Sequence, residues 1–175
     1  MINVLVVDDD KIIRKGLVSI IEGFGLEYQI VGEARNGLRA LEKLEELNID
    51  ILITDIKMPV MDGIQLIEEM KKRSLKTRVI VLSGFDDYKY VRDTLKNGAV
   101  DYLLKPIDND TLSQLLAKIK SDIEMDKVTE EKYKLYNLKF LESEMILKER
   151  FIDLLLKGTD NSKDKLDNLN KGYID

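Results

Sequence analysis

At 175 residues, with 28 Lys and Arg against 33 Asp and Glu and a net charge of -5, the sequence is long enough for one domain of ordinary size plus an appendage. It holds no His, Cys or Trp, which excludes disulfides, thiolate nucleophiles, imidazole bases and the zinc or iron–sulfur sites built on those residues. Any chemistry must come from carboxylates, hydroxyls, lysines and hard cations. The stretch from Met1 to Asp10 lacks the basic start of a signal peptide, and no segment approaches the roughly 18 uninterrupted apolar residues of a membrane span. A soluble, cytoplasmic protein is expected. Direct nucleic-acid binding is not, because the lysines alternate with acids instead of forming a basic patch.

Short β-branched runs at 2–7, 28–33, 49–54, 78–82 and 100–104 read as strands, several of them nearly continuous in Val, Ile and Leu, as strands buried on both faces are. Between them lie periodic segments that read as helices. The first carries Ile12, Ile13, Leu17, Ile20 and Ile21 on one face, the second Leu38, Leu41, Leu44 and Leu47, and the third Ile64, Ile67 and Met70. A fourth, about 86–96, has Tyr88, Val91 and Leu95 as its inner stripe. Turn signals fall at Asn36-Gly37, Met61-Asp62-Gly63, Asn97-Gly98 and Lys105-Pro106. Strands alternating with helices imply a doubly wound α/β domain with a five-stranded parallel sheet, spanning residues 1–122.

The pattern then changes. Leu112, Leu115, Leu116, Ile119 and Ile123 form an amphipathic helix that closes the domain, and helix formers continue to Lys157 without Gly or Pro. Leu138, Leu141, Met145, Ile152 and Leu155 alternate as coiled-coil positions, broken by Lys148, with Val128 and Leu135 leading in from another register. Residues 123–157 are therefore expected to be a helical linker, as a coiled coil or a hairpin with a stutter, the alternative being a solvated helix folded back on the domain. Gly158 is expected to cap it, leaving a polar tail at 158–175.

In an open α/β sheet, ligands bind beyond the carboxyl ends of the strands. Those ends carry Asp8, Asp9 and Asp10 after the first strand, Asp55 after the third, Ser83 after the fourth and Lys105 after the fifth. Clustered carboxylates repel, and a cation relieves the repulsion. Oxygen ligands alone select a hard ion, and Mg2+ suits a site of few carboxylates, a backbone carbonyl and phosphate oxygens. Asp55, followed by a loop with Pro59 and Gly63, can attack phosphorus to give an aspartyl phosphate, while Lys105 and Ser83 hold the other oxygens. Taken singly each residue has a plainer use. Asp10 reads best as the N-cap of the helix that starts at Lys11, Asp8 as a turn residue and Tyr102 as a packed aromatic. It is the joint placement at four strand ends that favours a site.

Val-Val-Asp-Asp-Asp at 6–10, Thr-Asp-Ile-Lys-Met-Pro-Val-Met-Asp-Gly at 54–63, Leu-Ser-Gly at 82–84 and Asp-Tyr-Leu-Leu-Lys-Pro-Ile at 101–107 resemble the receiver domain of two-component response regulators. The resemblance covers residues 2–122 and implies a flavodoxin-like fold with strand order 2-1-3-4-5. It implies Asp55 as phosphoacceptor, and Asp8, Asp9, Asp55 and the backbone carbonyl of Lys57 as Mg2+ ligands. Lys105 would be the phosphate-binding lysine, Ser83 and Tyr102 the switch pair, and the Lys105-Pro106 bond cis. A sensor histidine kinase is the implied partner. Having no His, the chain must receive its phosphoryl group in trans or from a small acyl phosphate. Phe85, beyond Ser83, is placed to shield the acyl phosphate from water.

Ser-Gly-Phe-Asp-Asp-Tyr-Lys-Tyr at 83–90, with the long helical segment containing Leu-Lys-Glu-Arg-Phe-Ile-Asp-Leu-Leu-Leu at 147–156, is similar to regulators that carry a C-terminal AraC-type DNA-binding domain. That likeness implies a transcriptional output outside these residues, with a further domain starting near the 158–175 tail. The coiled-coil pattern separately favours a homodimer through residues 125–157, and residues 1–122 alone are expected to be monomeric unless the receiver face also pairs. Such a protein is not an enzyme beyond its own phosphorylation and dephosphorylation. Two other readings remain open. One is a phosphorylation-independent dimerisation module. The other is an aspartyl-phosphate phosphohydrolase, which usually carries an acid two residues past the nucleophile, where this sequence has Lys57.

Overall fold

In a computed structural model of the chain, residues 1–84 and 100–170 are described. The predicted helix at 86–96 and Phe85 lie outside them. Five strands are found: β1 (Ile2–Val7), β2 (Tyr28–Ala34), β3 (Ile51–Asp55), β4 (Arg78–Ser83) and β5 (Val100–Leu104). They form one parallel sheet in the order β2-β1-β3-β4-β5, a flavodoxin-like arrangement. Among the described residues the helices are α1 (Lys11–Gly23), α2 (Gly37–Glu46), α3 (Gly63–Lys72) and α4 (Asn109–Asn170).

Alternation along the strands divides the core between the two faces of the sheet. Leu5, Val7, Leu52, Val79 and Val81 pack with Ala40, Leu41 and Leu44 of α2 and Leu66, Ile67 and Met70 of α3. Val4, Val6, Ile51, Ile53, Ile80 and Leu82 pack on the other face with Leu17 and Ile21 of α1 and Leu112, Leu116, Ile119 and Ile123 of α4. Each fully buried Leu or Ile contributes about 1.5–3 kcal/mol, so the central strands β1, β3 and β4 anchor the domain. Side-chain oxygens start the first three helices. Asp10 accepts from Ile12 and Ile13, Asn36 accepts from Arg39, and Asp62 forms a capping box with Gln65.

Three expectations need correction. Ile12 and Ile13 are not core, with Ile12 83% exposed, because the first turn of α1 lies past the end of β1, where no strand remains for it to cover. Leu38 and Leu47 are likewise exposed while Ala40 takes the inner position. Gly158 does not end a helix, since α4 continues through it to Asn170. One interior Gly costs a helix only about 1 kcal/mol, and a stop also requires residues that supply the left-handed closing turn.

β1 and β2 pair in register from Ile2↔Tyr28 to Val4↔Ile30, but Leu5 then pairs with Gly32, leaving Val31 as an extra residue in β2. The shift places Glu33 opposite Val6, on the face of the sheet covered by α1.

The chain divides into two compact units, Met1–Glu124 and Met125–Asp175. The second contains the greater part of α4, where Leu138, Leu141, Met145, Ile152 and Leu155 are all exposed. Among the described residues no helix is long and apolar enough to cross a membrane.

Candidate phosphoacceptor site

Four strand ends converge as the sequence suggests. Asp8 follows β1 and is almost fully buried; Asp9, next to it, is exposed. Asp55 closes β3 and is partly buried. One carboxylate oxygen from each of Asp8, Asp9 and Asp55 lies within 4.8 Å of the others. That spacing fits a single hard cation held by oxygen ligands. Lys105, just past β5, brings its ammonium 3.0 Å from Asp8 Oδ2 and 3.2 Å from Asp55 Oδ2, so one positive charge serves two carboxylates. The Lys105-Pro106 peptide is cis. Ser83 closes β4 with no exposed surface, and its hydroxyl is a buried side-chain oxygen without a hydrogen-bond partner among the described residues. A buried hydroxyl left unpaired costs about 1–3 kcal/mol, which makes it a group waiting for an acceptor or a donor. Tyr102, in the middle of β5, is 39% exposed and so is not the packed aromatic that its spacing suggested. Lys57 is exposed in the loop after β3.

Local structure fixes these groups. Asp55 Oδ1 accepts from the Ile56 amide at 2.9 Å, and the Ile56 amide also reaches the Leu82 carbonyl of β4 at 3.3 Å. Gly63, at the start of α3, packs so closely that a Cβ there would lie 2.3 Å from the Asp55 carbonyl oxygen. Asp8 Oδ1 accepts from the Asp10 amide at 2.9 Å. The Lys105 amide donates to the Ser83 carbonyl at 2.8 Å, tying the lysine to β4.

Electrostatics follow from this packing. Burial pushes the Asp55 carboxyl above its ordinary range; Lys105 works against that, and the negative charge of Asp8 adds to it. Burial also opposes the charge on Lys105, but Asp8 and Asp55 outweigh it and hold the ammonium above its ordinary value. One shared ammonium leaves Asp55 short of positive charge, and that shortage is what a divalent cation relieves.

Two residues of the site's surroundings escaped the sequence reading. Arg14, on α1, donates from Nη1 to the Asp8 carbonyl oxygen at 2.7 Å and from Nε to Glu33 at 3.0 Å. Glu33 also pairs with Lys15 at 2.6 Å. No local motif announces a pair separated by 19 positions on different elements.

Residues 4–117 match the response regulator receiver domain. This chain belongs to that family. The receiver is 35% identical over 152 residues to the "uncharacterized transcriptional regulatory protein YesN" of Bacillus subtilis, covering 84% of this chain and 41% of that protein. It is 34% identical over 119 residues to the transcriptional regulatory protein HptR of Staphylococcus aureus, covering 68% of this chain and 46% of that one. The chain thus spans less than half the length of these curated relatives. Among solved structures, the receiver resembles the REC domain of AraT, a response regulator from Geobacillus stearothermophilus. The TM-score is 0.64 and the identity 34%, covering 71% of this chain and 97% of that one. It also resembles a two-component transcriptional regulator AraC from Clostridium phytofermentans, with a TM-score of 0.64 and 28% identity, covering 73% and 98% of the two chains. In this receiver the acid cluster, the shared lysine and the buried hydroxyl all sit at the carboxyl ends of the strands.

Proposed function

We propose that the chain is the phosphorylation-controlled input module of a cytoplasmic transcriptional regulator, taking a phosphoryl group on Asp55 from a sensor histidine kinase. The observation that carries this reading is the placement of Lys105 between Asp8 and Asp55, with Ser83, whose buried hydroxyl has no partner among the described residues, closing the neighbouring strand β4. Asp8, Asp9 and Asp55 would hold Mg2+, joined by the Lys57 backbone carbonyl. When bound, the cation supplies the charge that lets a carboxylate and a phosphoryl group approach. An Asp55 carboxylate oxygen forms a bond to phosphorus as the bond from phosphorus to the donor breaks, and the donor leaves with that electron pair. Lys105 binds a phosphoryl oxygen, and Ser83 donates its free hydroxyl to another. Tyr102 then follows Ser83 as the switch aromatic. The chain turns over nothing except its own acyl phosphate.

The output runs through residues 125–157. Their exposed apolar side chains support pairing with a second copy, and the relatives named transcriptional regulatory proteins support a DNA-binding output outside this chain. The test is intact-mass measurement after incubation with acetyl phosphate and Mg2+. Wild type should gain one phosphoryl group and Asp55→Asn none; a gain that persists in Asp55→Asn refutes the assignment. Sedimentation with and without the phosphodonor separates a switch from a constitutive dimerisation module, which would show one oligomeric state throughout.

A further inference from the structure

Beyond the residues that touch a cation or a phosphoryl group, the peptide joining Asp8 to Asp9 holds a special position. Two of the three candidate ligands hang from the two ends of that one peptide unit, so its tilt sets the separation and direction of both carboxylates. The β ladder does not hold its carbonyl. β1 pairing ends at Val7, opposite Ala34 on one side and Thr54 on the other. The Asp8 amide still reaches the Ala34 carbonyl at 3.2 Å, but the Asp8 carbonyl lies past the last ladder pair. Arg14 Nη1 takes that carbonyl at 2.7 Å.

Arg14 is itself held in place. Its side chain is only 14% exposed, its Nε is paired with Glu33, and its amide bonds to the Asp10 carbonyl at 3.0 Å within the first turn of α1. Glu33 reaches Arg14 because of the extra residue in β2. With unbroken pairing Glu33 would stand opposite Val7, on the face covered by α2 and α3; the shift stands it opposite Val6, on the face covered by α1. Bulges commonly re-aim a side chain beside an active site. Lys15 holds the other Glu33 oxygen and keeps the carboxylate from turning away.

We propose that Arg14, anchored by Glu33, is a positioning residue for the divalent cation: by fixing the Asp8–Asp9 peptide it sets the bite of the two carboxylates that meet Asp55 around the ion. This rests on the phosphoacceptor reading above, and it assigns Arg14 no contact with the ion. Groups that orient metal ligands typically change affinity by about 10- to 100-fold when removed.

Simple electrostatics predicts the opposite sign. Deleting a positive charge near a cation site should tighten binding of the cation, whereas losing the clamp should weaken it. Titration calorimetry of MgCl2 into the full chain therefore discriminates. Arg14→Ala should bind Mg2+ about 10- to 100-fold more weakly than wild type. Glu33→Gln, which keeps the arginine but loosens its anchor, should weaken binding by less and serves if Arg14→Ala does not fold. In phosphorylation by acetyl phosphate, the half-saturating Mg2+ concentration should rise while the rate at saturating Mg2+ changes far less. Unchanged or tighter Mg2+ binding in Arg14→Ala, or unchanged binding in Glu33→Gln, overturns the proposal and leaves the phosphoacceptor reading intact. Absence of Mg2+ binding by wild type overturns both.

Discussion

Replacing Gly63 by Ala tests how tightly the start of α3 is seated against the phosphoacceptor strand. The new methyl would lie 2.3 Å from the Asp55 carbonyl oxygen and 3.1 Å from the Ile56 Cα, where ordinary contact begins near 3.4 Å. Both obstacles are backbone, so no rotamer change relieves them, and α3 must retreat by about 1 Å or Asp55 must move. Retreat stretches the bond from the Gly63 amide to the Ile56 carbonyl, now 2.9 Å, and loosens Leu66, Ile67 and Met70 in the core. Overpacking of this kind costs about 1–3 kcal/mol, and a weakened buried hydrogen bond about 1 kcal/mol more. The better helix propensity of Ala returns at most about 1 kcal/mol. A net loss of about 1–3 kcal/mol is expected in urea unfolding followed by circular dichroism. Gly16→Ala is the matched control: it sits inside α1 with nothing within 4 Å of its added methyl, and should gain about 0.5–1 kcal/mol. If Asp55 is the group that moves, a displacement near 1 Å lowers the rate of phosphorylation by acetyl phosphate by up to about 100-fold. Gly63→Ala as stable as wild type, or Gly16→Ala less stable, refutes the reasoning.

Lys105→Ala should destabilise the metal-free protein, since Asp8 and Asp55 lose the charge they share, and added Mg2+ should raise its melting temperature more than that of wild type. A smaller Mg2+ response in the variant counts against the shared-charge account. The hydrogen bond from Lys15 holds Glu33 below its ordinary pKa; burial opposes this and Arg14 adds to it. A depressed acid contributes stability above its unfolded pKa of about 4.3 and loses it as pH falls through the folded value. The stability gap between wild type and Glu33→Gln, about 1 kcal/mol at neutral pH, should therefore be flat above about pH 5 and close below pH 4; a pH-independent gap refutes it. Leu112→Ala, in a fully buried position, should cost about 2–5 kcal/mol, and Ile12→Ala, at 83% exposure, less than about 0.5, both read by urea unfolding.

The five strands are legible because buried parallel strands are nearly pure in β-branched and aliphatic residues, and the residues that follow them in the sequence, Asp8, Asp9, Asp55, Ser83 and Lys105, mark their carboxyl ends. Periodicity failed where a helix outruns its sheet. Ile12 and Ile13 repeat at helical spacing with Leu17 yet meet no strand. It failed again at Gly158, where the sequence marks a permissible stop that the chain does not take. Arg14 and Glu33 could not be read at all, because their meeting depends on a register shift between β1 and β2 that leaves no mark in composition. Gly63 was legible as a turn residue, but its closeness to the Asp55 carbonyl was not.

The extra residue in β2 makes register, and not residue type, decide which way Glu33 faces. If β2 slipped into unbroken pairing with its length unchanged, Val31 would stand opposite Leu5 and every side chain after it would turn to the opposite face. Glu33 would then enter the apolar layer of Leu41 and Leu44, Ala34 would leave it, and Arg14 would lose its counter-charge, all without altering any residue of the acid cluster. Removing Val31 would instead leave Gly32, Glu33 and Ala34 opposite Leu5, Val6 and Val7, so a one-codon deletion here regularises the ladder and keeps Glu33 facing Arg14. Homologues one residue shorter between Tyr28 and Glu33 should accordingly keep the same anchor for their first acidic pair through a regular ladder.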